Sequence, residues 1–109
     1  MIAWADFEKV DIRVGTIIDV QDFPQARKPA YKLTIDFGSL GIKRSSAQIT
    51  TLYTRETLLG RQIVAVVNFP PKQIANFFSE CLVLSAIGKQ KEVILLHPEQ
   101  SVENGSKIA

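Results

Sequence analysis

The chain is 109 residues long and 46% hydrophobic, with a formal net charge of +2, one cysteine and one histidine. That is enough for a single hydrophobic core and too little for two, so residues 1–109 are read as one domain. A lone cysteine excludes an internal disulfide and, with His97 as the sole histidine, a zinc site of Cys/His spacing; no apolar run is long enough to cross a bilayer, and the acidic, aromatic start is unlike a signal peptide, so the expectation is a cytoplasmic protein without membrane insertion.

Ala3 to Val10 places Trp4, Phe7 and Val10 at helical spacing, with Asp6 and Glu8 near the start, which predicts one or two helical turns. Such an amphipathic segment must lie on its own barrel or on a second subunit. Ile12 to Val20 alternates, with Ile12, Val14, Thr16, Ile18 and Val20 on one face and Arg13, Gly15, Ile17, Asp19 and Gln21 on the other; this predicts a long strand with a bulge or bend at Gly15. Phe23 to Ala30 is a proline-bounded loop that carries Arg27 and Lys28 at its tip. Tyr31 to Phe37 alternates again, with Tyr31, Leu33, Ile35 and Phe37 facing one way, and Gly38 to Gly41 is a turn.

Ile42 to Ile49 is a strand of unusual polarity, with Lys43, Arg44, Ser45, Ser46 and Gln48 in place of apolar mass. It is either an edge strand guarded by charge or a strand that faces phosphates and base edges. Thr54 to Leu59 predicts a short helix with Thr54 as N-cap and Gly60 as its stop. Val64 to Val67 is a short buried strand that Pro70 and Pro71 must end, because neither can donate a backbone hydrogen bond. Cys81 to Leu84 resumes the apolar run, and Cys81 reads as a small buried hydrophobe.

Between these runs Phe69, Ile74, Phe77 and Phe78 sit in a loop with Lys72, Gln73, Asn76 and Ser79. Large apolar side chains off the sheet either pack beneath their own loop or wait for a partner. Val93 to Leu96 is a further strand, and Asn104-Gly105 is a tight turn before a final extended piece. About five strands with one short helix inserted midway describe an all-β, five-stranded OB-fold barrel, with a short N-terminal helix and a C-terminal extension.

Charge is uneven along this plan. Phe23 to Phe78 holds eight basic and two acidic residues, a net of +6, whereas the flanking stretches are both net negative. A single face for a polyanion has that signature. Catalysis has no such support: His97 has no partner motif, Ser45-Ser46 has no nucleophile elbow, and no glycine-rich phosphate loop occurs. The expectation is a binding protein with no catalytic residue, metal or cofactor. It binds either RNA, through the polar strand and Lys72 with Asn68, Gln73 and Ser79 on sugar or base edges and a stacked phenylalanine, or extended peptide, through Phe69, Ile74, Phe77 and Phe78.

The blocks DIRVGTI at Asp11 to Ile17, FPQARKPAYKL at Phe23 to Leu33, KRSSAQI at Lys43 to Ile49, NFPPKQIANFFSECLVL at Asn68 to Leu84 and the terminal NGSKIA together resemble the tRNA-binding domain, which occurs alone and appended to some methionyl-tRNA synthetases. Within it they are similar to the CsaA group of secretion chaperones. The resemblance implies an OB-fold homodimer joined through its terminal extensions, with Trp4 and Phe7 at the interface, and a tRNA face of Lys43, Arg44, Ser45, Ser46, Asn68, Lys72 and Ser79. It implies as partners unfolded preproteins, the export machinery and tRNA. Where the wider family carries a glycine this chain has Asn76, expected to take the left-handed turn conformation. Where it carries Ser-Glu-Gly-Met the chain has Ser79-Glu80-Cys81-Leu82, and with Phe77 and Phe78 this tilts the loop toward peptide. The alternative is a structure-specific tRNA-binding protein with no chaperone role.

Overall fold

Alternating apolar residues build the first half of the chain into long strands, and the computed structural model, which describes residues 1–109, shows how they pair. After the helix α1 (Trp4–Glu8) come β1 (Ile12–Asp22), β2 (Tyr31–Asp36), a 3-10 turn at Gly38–Leu40, β3 (Ile42–Ala47), α2 (Arg55–Leu58) and β4 (Gln62–Val66). The hairpin of β5 (Lys72–Ile74) and β6 (Phe77–Ser79) follows, then β7 (Leu82–Val83) and a second hairpin of β8 (Ser85–Ile87) and β9 (Val93–Leu95). The main sheet is antiparallel in the order β3-β2-β1-β4-β7. It curls until β3 meets the chain entering β7, where the Glu80 N–H donates to the Arg44 carbonyl at 2.7 Å. The Glu80 carboxylate accepts the Arg44 N–H at 2.9 Å, which doubles the closure. This nearly closed barrel with a helix before its fourth strand is the expected OB-fold.

The barrel interior holds Ile17, Leu33, Ile35, Phe37, Ile63 and Ala65, and Leu58 is the one buried residue of α2 that joins them. Four residues are too few for a stable free helix, so capping and that one anchor hold α2 in place. Thr54 Oγ1 accepts the Thr57 N–H at 3.2 Å, and Thr57 Oγ1 accepts the Thr54 N–H at 3.0 Å, a capping box built from two threonines.

Pairing corrects the expected facing of β1. Arg13 opposes Ala65 and Gly15 opposes Ile63, so the odd positions face inward, while Ile12 and Val14 join Val64 and Val66 in a second cluster on the other side of the sheet. Val10, Leu84 and Ile108 cover that second cluster. Ile17 is fully buried and Ile18 is 43% exposed, the reverse of the alternation reading. A register irregularity between Ile17 and Asp19 then returns Val20 to the interior, because an inserted residue flips the facing of everything after it. The bulge is therefore not at Gly15. There the glycine answers a packing need: a Cβ would lie 2.6 Å from Ile35 Cγ2 and 2.8 Å from the Phe37 ring.

β4 ends at Val66, ahead of Pro70 and Pro71 rather than at them, and the segment after the prolines is a paired hairpin rather than an open loop. Ile74 opposes Phe77, which leaves Ala75 and Asn76 as a two-residue turn. The left-handed position is Ala75, at φ 54°, and not Asn76, because this turn has its positive φ at the first central residue. The C-terminal piece runs back beside β1, where the Ile108 N–H donates to the Ile12 carbonyl at 2.9 Å.

Candidate functional site

The pleat of β3 divides its polar residues between two faces. Ser45 opposes Leu33 and is buried, and Lys43 shares its side of the strand, whereas Arg44 and Ser46 point to the outer face with Lys32 of β2. The hydroxyls of buried Ser45 and half-buried Ser79 hold the barrel shut. Ser45 Oγ donates to the Cys81 carbonyl at 2.8 Å; Ser79 Oγ donates to the same carbonyl at 3.3 Å and accepts the Ser46 N–H at 3.2 Å. Cys81 is buried beside them, and its thiol is pushed up to about 11 by desolvation, against the smaller opposing pull of the Ser45 hydrogen bond and the Lys43 charge.

Asn68 is occupied at both ends of its amide. Its Oδ1 accepts the Asp11 N–H at 3.0 Å and its Nδ2 donates to the Lys9 carbonyl at 2.7 Å, tying the exit of α1 to the end of β4.

Between the Phe23 to Ala30 loop, β3 and the first hairpin runs a groove of about 660 Å³, lined by Arg27, Lys28, Ser46, Gln48, Lys72 and Gln73 among others, with no carboxylate in its wall. The ion pairs of the molecule are Lys9 with Asp6 and Arg13 with Asp11, both near the N-terminus. The basic residues from Arg27 to Lys72 thus carry no contact counter-charge, an arrangement that attracts polyanions. Of the residues expected on a tRNA face, Ser46 and Lys72 line the groove, Arg44 lies on the same outer face, Ser45 and Ser79 form the closure, Lys43 is on the inward side, and Asn68 belongs to the α1 junction. Arg27, Lys28 and Gln48 were outside the expected set. The exposed basic tip was visible in the sequence, but its nearness to β3 and β5 was not.

The four loop hydrophobes separate into an inward and an outward pair, and for Phe77 and Phe78 the pleat of β6 does this. Phe77 is buried against Phe23 and Ala30, with Ile74 packed on them, so these side chains fold back beneath their own segment. Phe69 and Phe78 are each 55% exposed. Phe69, Pro70, Cys81 and Leu82 enclose, with Lys72 and Ser79, a pocket of about 270 Å³. Lys72 borders this apolar pocket on one side and the basic groove on the other.

A third surface lies at the termini. α1 buries none of its residues, Trp4 is 85% exposed, and the hydrophobic residues Ile2, Ala3, Trp4, Phe7 and Ala109 surround a mostly apolar hollow of about 640 Å³. Trp4 does not lie on its own barrel. His97 is exposed and its Nδ1 lies 2.8 Å from the Pro98 carbonyl. No group of three or more His, Cys, Asp or Glu side chains could hold a metal ion, and no helix is long and apolar enough to cross a membrane.

A model of the putative tRNA-binding domain matches residues 12–107. The chain is similar to the crystal structure of the chaperone CsaA from Bacillus anthracis, with 51% identity and a TM-score of 0.95 over 100% of this chain and 99% of that one. It is similar also to CsaA from Picrophilus torridus, with 58% identity and a TM-score of 0.94 over the whole of both chains. Among curated proteins it is 40% identical over 110 residues, 99% of its length, to the methionine–tRNA ligase of Nanoarchaeum equitans. It spans only 14% of that ligase, so the match concerns an accessory part of a much longer enzyme.

Proposed function

The chain belongs to the tRNA-binding domain family, and from that premise we propose a cytoplasmic, non-catalytic homodimer of CsaA type that holds unfolded or export-bound polypeptides and also binds tRNA. One observation carries the reading: Lys72 stands between two surfaces of opposite chemistry, an apolar pocket walled by Phe69, Pro70 and Leu82 and a basic groove free of carboxylates. Apolar stretches of a client seat on the first surface together with the exposed Phe78. Phosphates of tRNA seat on the second, where Arg27, Lys28 and Lys72 displace counterions, and on Arg44 of the same outer face. The chaperone relatives support the polypeptide role and the family description supports the tRNA role.

Self-association is proposed through the terminal hollow, with Trp4 and Phe7 as anchors. A dimer carries two copies of each surface, and a long client that engages both gains avidity through effective concentration.

Fluorescence anisotropy tests both roles with the intact protein. Labelled tRNA and a labelled, permanently unfolded secretory precursor are titrated separately at low and moderate salt. Affinity for tRNA should fall steeply with salt, whereas capture of the unfolded chain should hold or strengthen. Failure to bind the unfolded chain removes the chaperone role and leaves a tRNA-binding protein; salt-independent tRNA binding removes the basic groove as its site.

A further inference from the structure

We propose that Phe23 and Phe77 form an aromatic platform that holds Lys32 and Arg44 as a paired phosphate site on the outer face of the barrel. The inference rests on the tRNA reading and adds to it one cation and two positioning residues.

The rings of Phe23 and Phe77 lie 5.3 Å apart between centroids, tilted by 59°, and both are buried. They are too deep to stack on a base. What reaches solvent above them is charge. The Lys32 ammonium sits 5.5 Å from the centroid of Phe23, and the Arg44 guanidinium carbon sits 4.5 Å from the centroid of Phe77. Each cation is thereby drawn to the negative face of a ring, which restricts side chains that otherwise range over many rotamers. A guanidinium that spends its flat face on a ring keeps its N–H edges for an anion.

Strand register brings the two together. Lys32 opposes Ser46 and Arg44 opposes Thr34, so the two cations are diagonal neighbours on one face, about 7–8 Å apart at the backbone. Both can reach one stretch of a phosphate backbone. Neither takes part in an ion pair, so two like charges share a face without compensation. In the absence of an anion that costs Coulomb energy, and a bound phosphate removes the cost. The platform also makes use of a segment junction: Phe23 comes from the loop after β1 and Phe77 from β6, so the ring under Arg44 is in place only when the hairpin has docked. The site therefore reads backbone charge and shape, and no base.

The test is a set of tRNA isotherms over a salt series, with a melting curve for every variant. Lys32→Ala should weaken binding about tenfold and lower the salt slope by about one, as loss of one phosphate contact does. Phe23→Leu keeps every charge and an apolar side chain in the cluster but removes the ring under Lys32; it should weaken binding several-fold with the slope unchanged. In the Lys32→Ala background the Phe23→Leu effect should shrink to the part that acts through Phe77 on Arg44, a coupling that general loosening of the loop does not produce. Lys89→Ala, on the second hairpin turn, should leave affinity unchanged. An unchanged affinity for Lys32→Ala, with Arg27→Ala plus Lys28→Ala still impaired, overturns the platform and leaves the tRNA reading standing. An equal Phe23→Leu effect in both backgrounds also overturns it. If the wild-type protein binds no tRNA at low salt, the tRNA reading and the platform fall together.

Discussion

Two pairs of aromatic residues in this chain face opposite circumstances. Phe23 and Phe77 are buried against each other with Lys32 and Arg44 above them, whereas Trp4 and Phe7 stand on a helix that buries nothing, around a hollow with no charged residue in its wall. The first pair has its partner inside the fold and presents charge outward. The second presents the apolar surface itself, and with it a free-energy gain that only another apolar surface can realise. Aromatic content alone therefore says little about what a segment binds; what lies over the ring decides it.

Breaking the terminal pair should have the largest effect. Trp4→Ala with Phe7→Ala is expected to convert a dimer to a monomer, with self-association weakened at least about a hundredfold, since buried aromatic anchors dominate interface energies. Sedimentation velocity reads the particle size. Trp4 is the only tryptophan, so wild-type emission should also shift to the blue as concentration rises. A wild-type protein that stays monomeric, or a double variant that stays dimeric, removes this pair from the interface.

Adjacent phenylalanines on β6 sharpen the comparison next. Phe77→Ser should cost about 3 kcal/mol in denaturant unfolding through loss of a buried ring, while Phe78→Ser should change stability by less than about 0.5 kcal/mol and weaken capture of an unfolded client. The opposite pattern would show that β6 presents its other face.

A third effect concerns Cys81, in the closure beneath the basic face. Its thiol, raised from 9.0 to about 11 in the folded protein, stays neutral there while the unfolded chain begins to ionise near 9.0. The unfolded state thus binds fewer protons within that window, and stability falls as pH rises through it, by on the order of 3 kcal/mol once above about pH 11. Chemical denaturation at several pH values should show this loss in the wild type and a flatter profile in Cys81→Ala. Parallel profiles would mean that the thiol is reached by solvent.

The smallest expected effect is at the hairpin turn that docks Phe77. Ala75 holds a positive φ that glycine adopts freely, so Ala75→Gly should raise stability by about 0.5–1 kcal/mol, visible as a melting point a few degrees higher. An unchanged or lower melting point would show the turn to be unstrained.

Much of the scaffold was legible before any coordinates. Tyr31, Leu33, Ile35 and Phe37 alternate inward as their spacing requires, Thr54 caps α2, no strand runs through Pro70 and Pro71, and Cys81 is buried. These features depend on period, capping chemistry and backbone donors, all of which act within a few residues. The facing of Ile17 and Ile18 was not legible, because both are isoleucine and a bulge between strands leaves no mark in composition. Nor was the division of Phe77 from Phe78, or of Ser45 from Arg44 and Ser46, since the choice of inward face depends on which strand lies opposite.

By itself the sequence determined the class of fold, the place of the inserted helix, the concentration of positive charge in the middle of the chain and the family resemblance. Only the tertiary structure decided which of those charges share a surface. Arg27 and Lys28 meet Ser46 and Lys72 across a groove, and Lys32 meets Arg44 above two rings from distant segments. The physical reason is that local pattern is set by backbone periodicity, which the sequence carries residue by residue. A binding surface is set by strand register and barrel closure, which join residues far apart in the chain and are fixed only when the whole core packs.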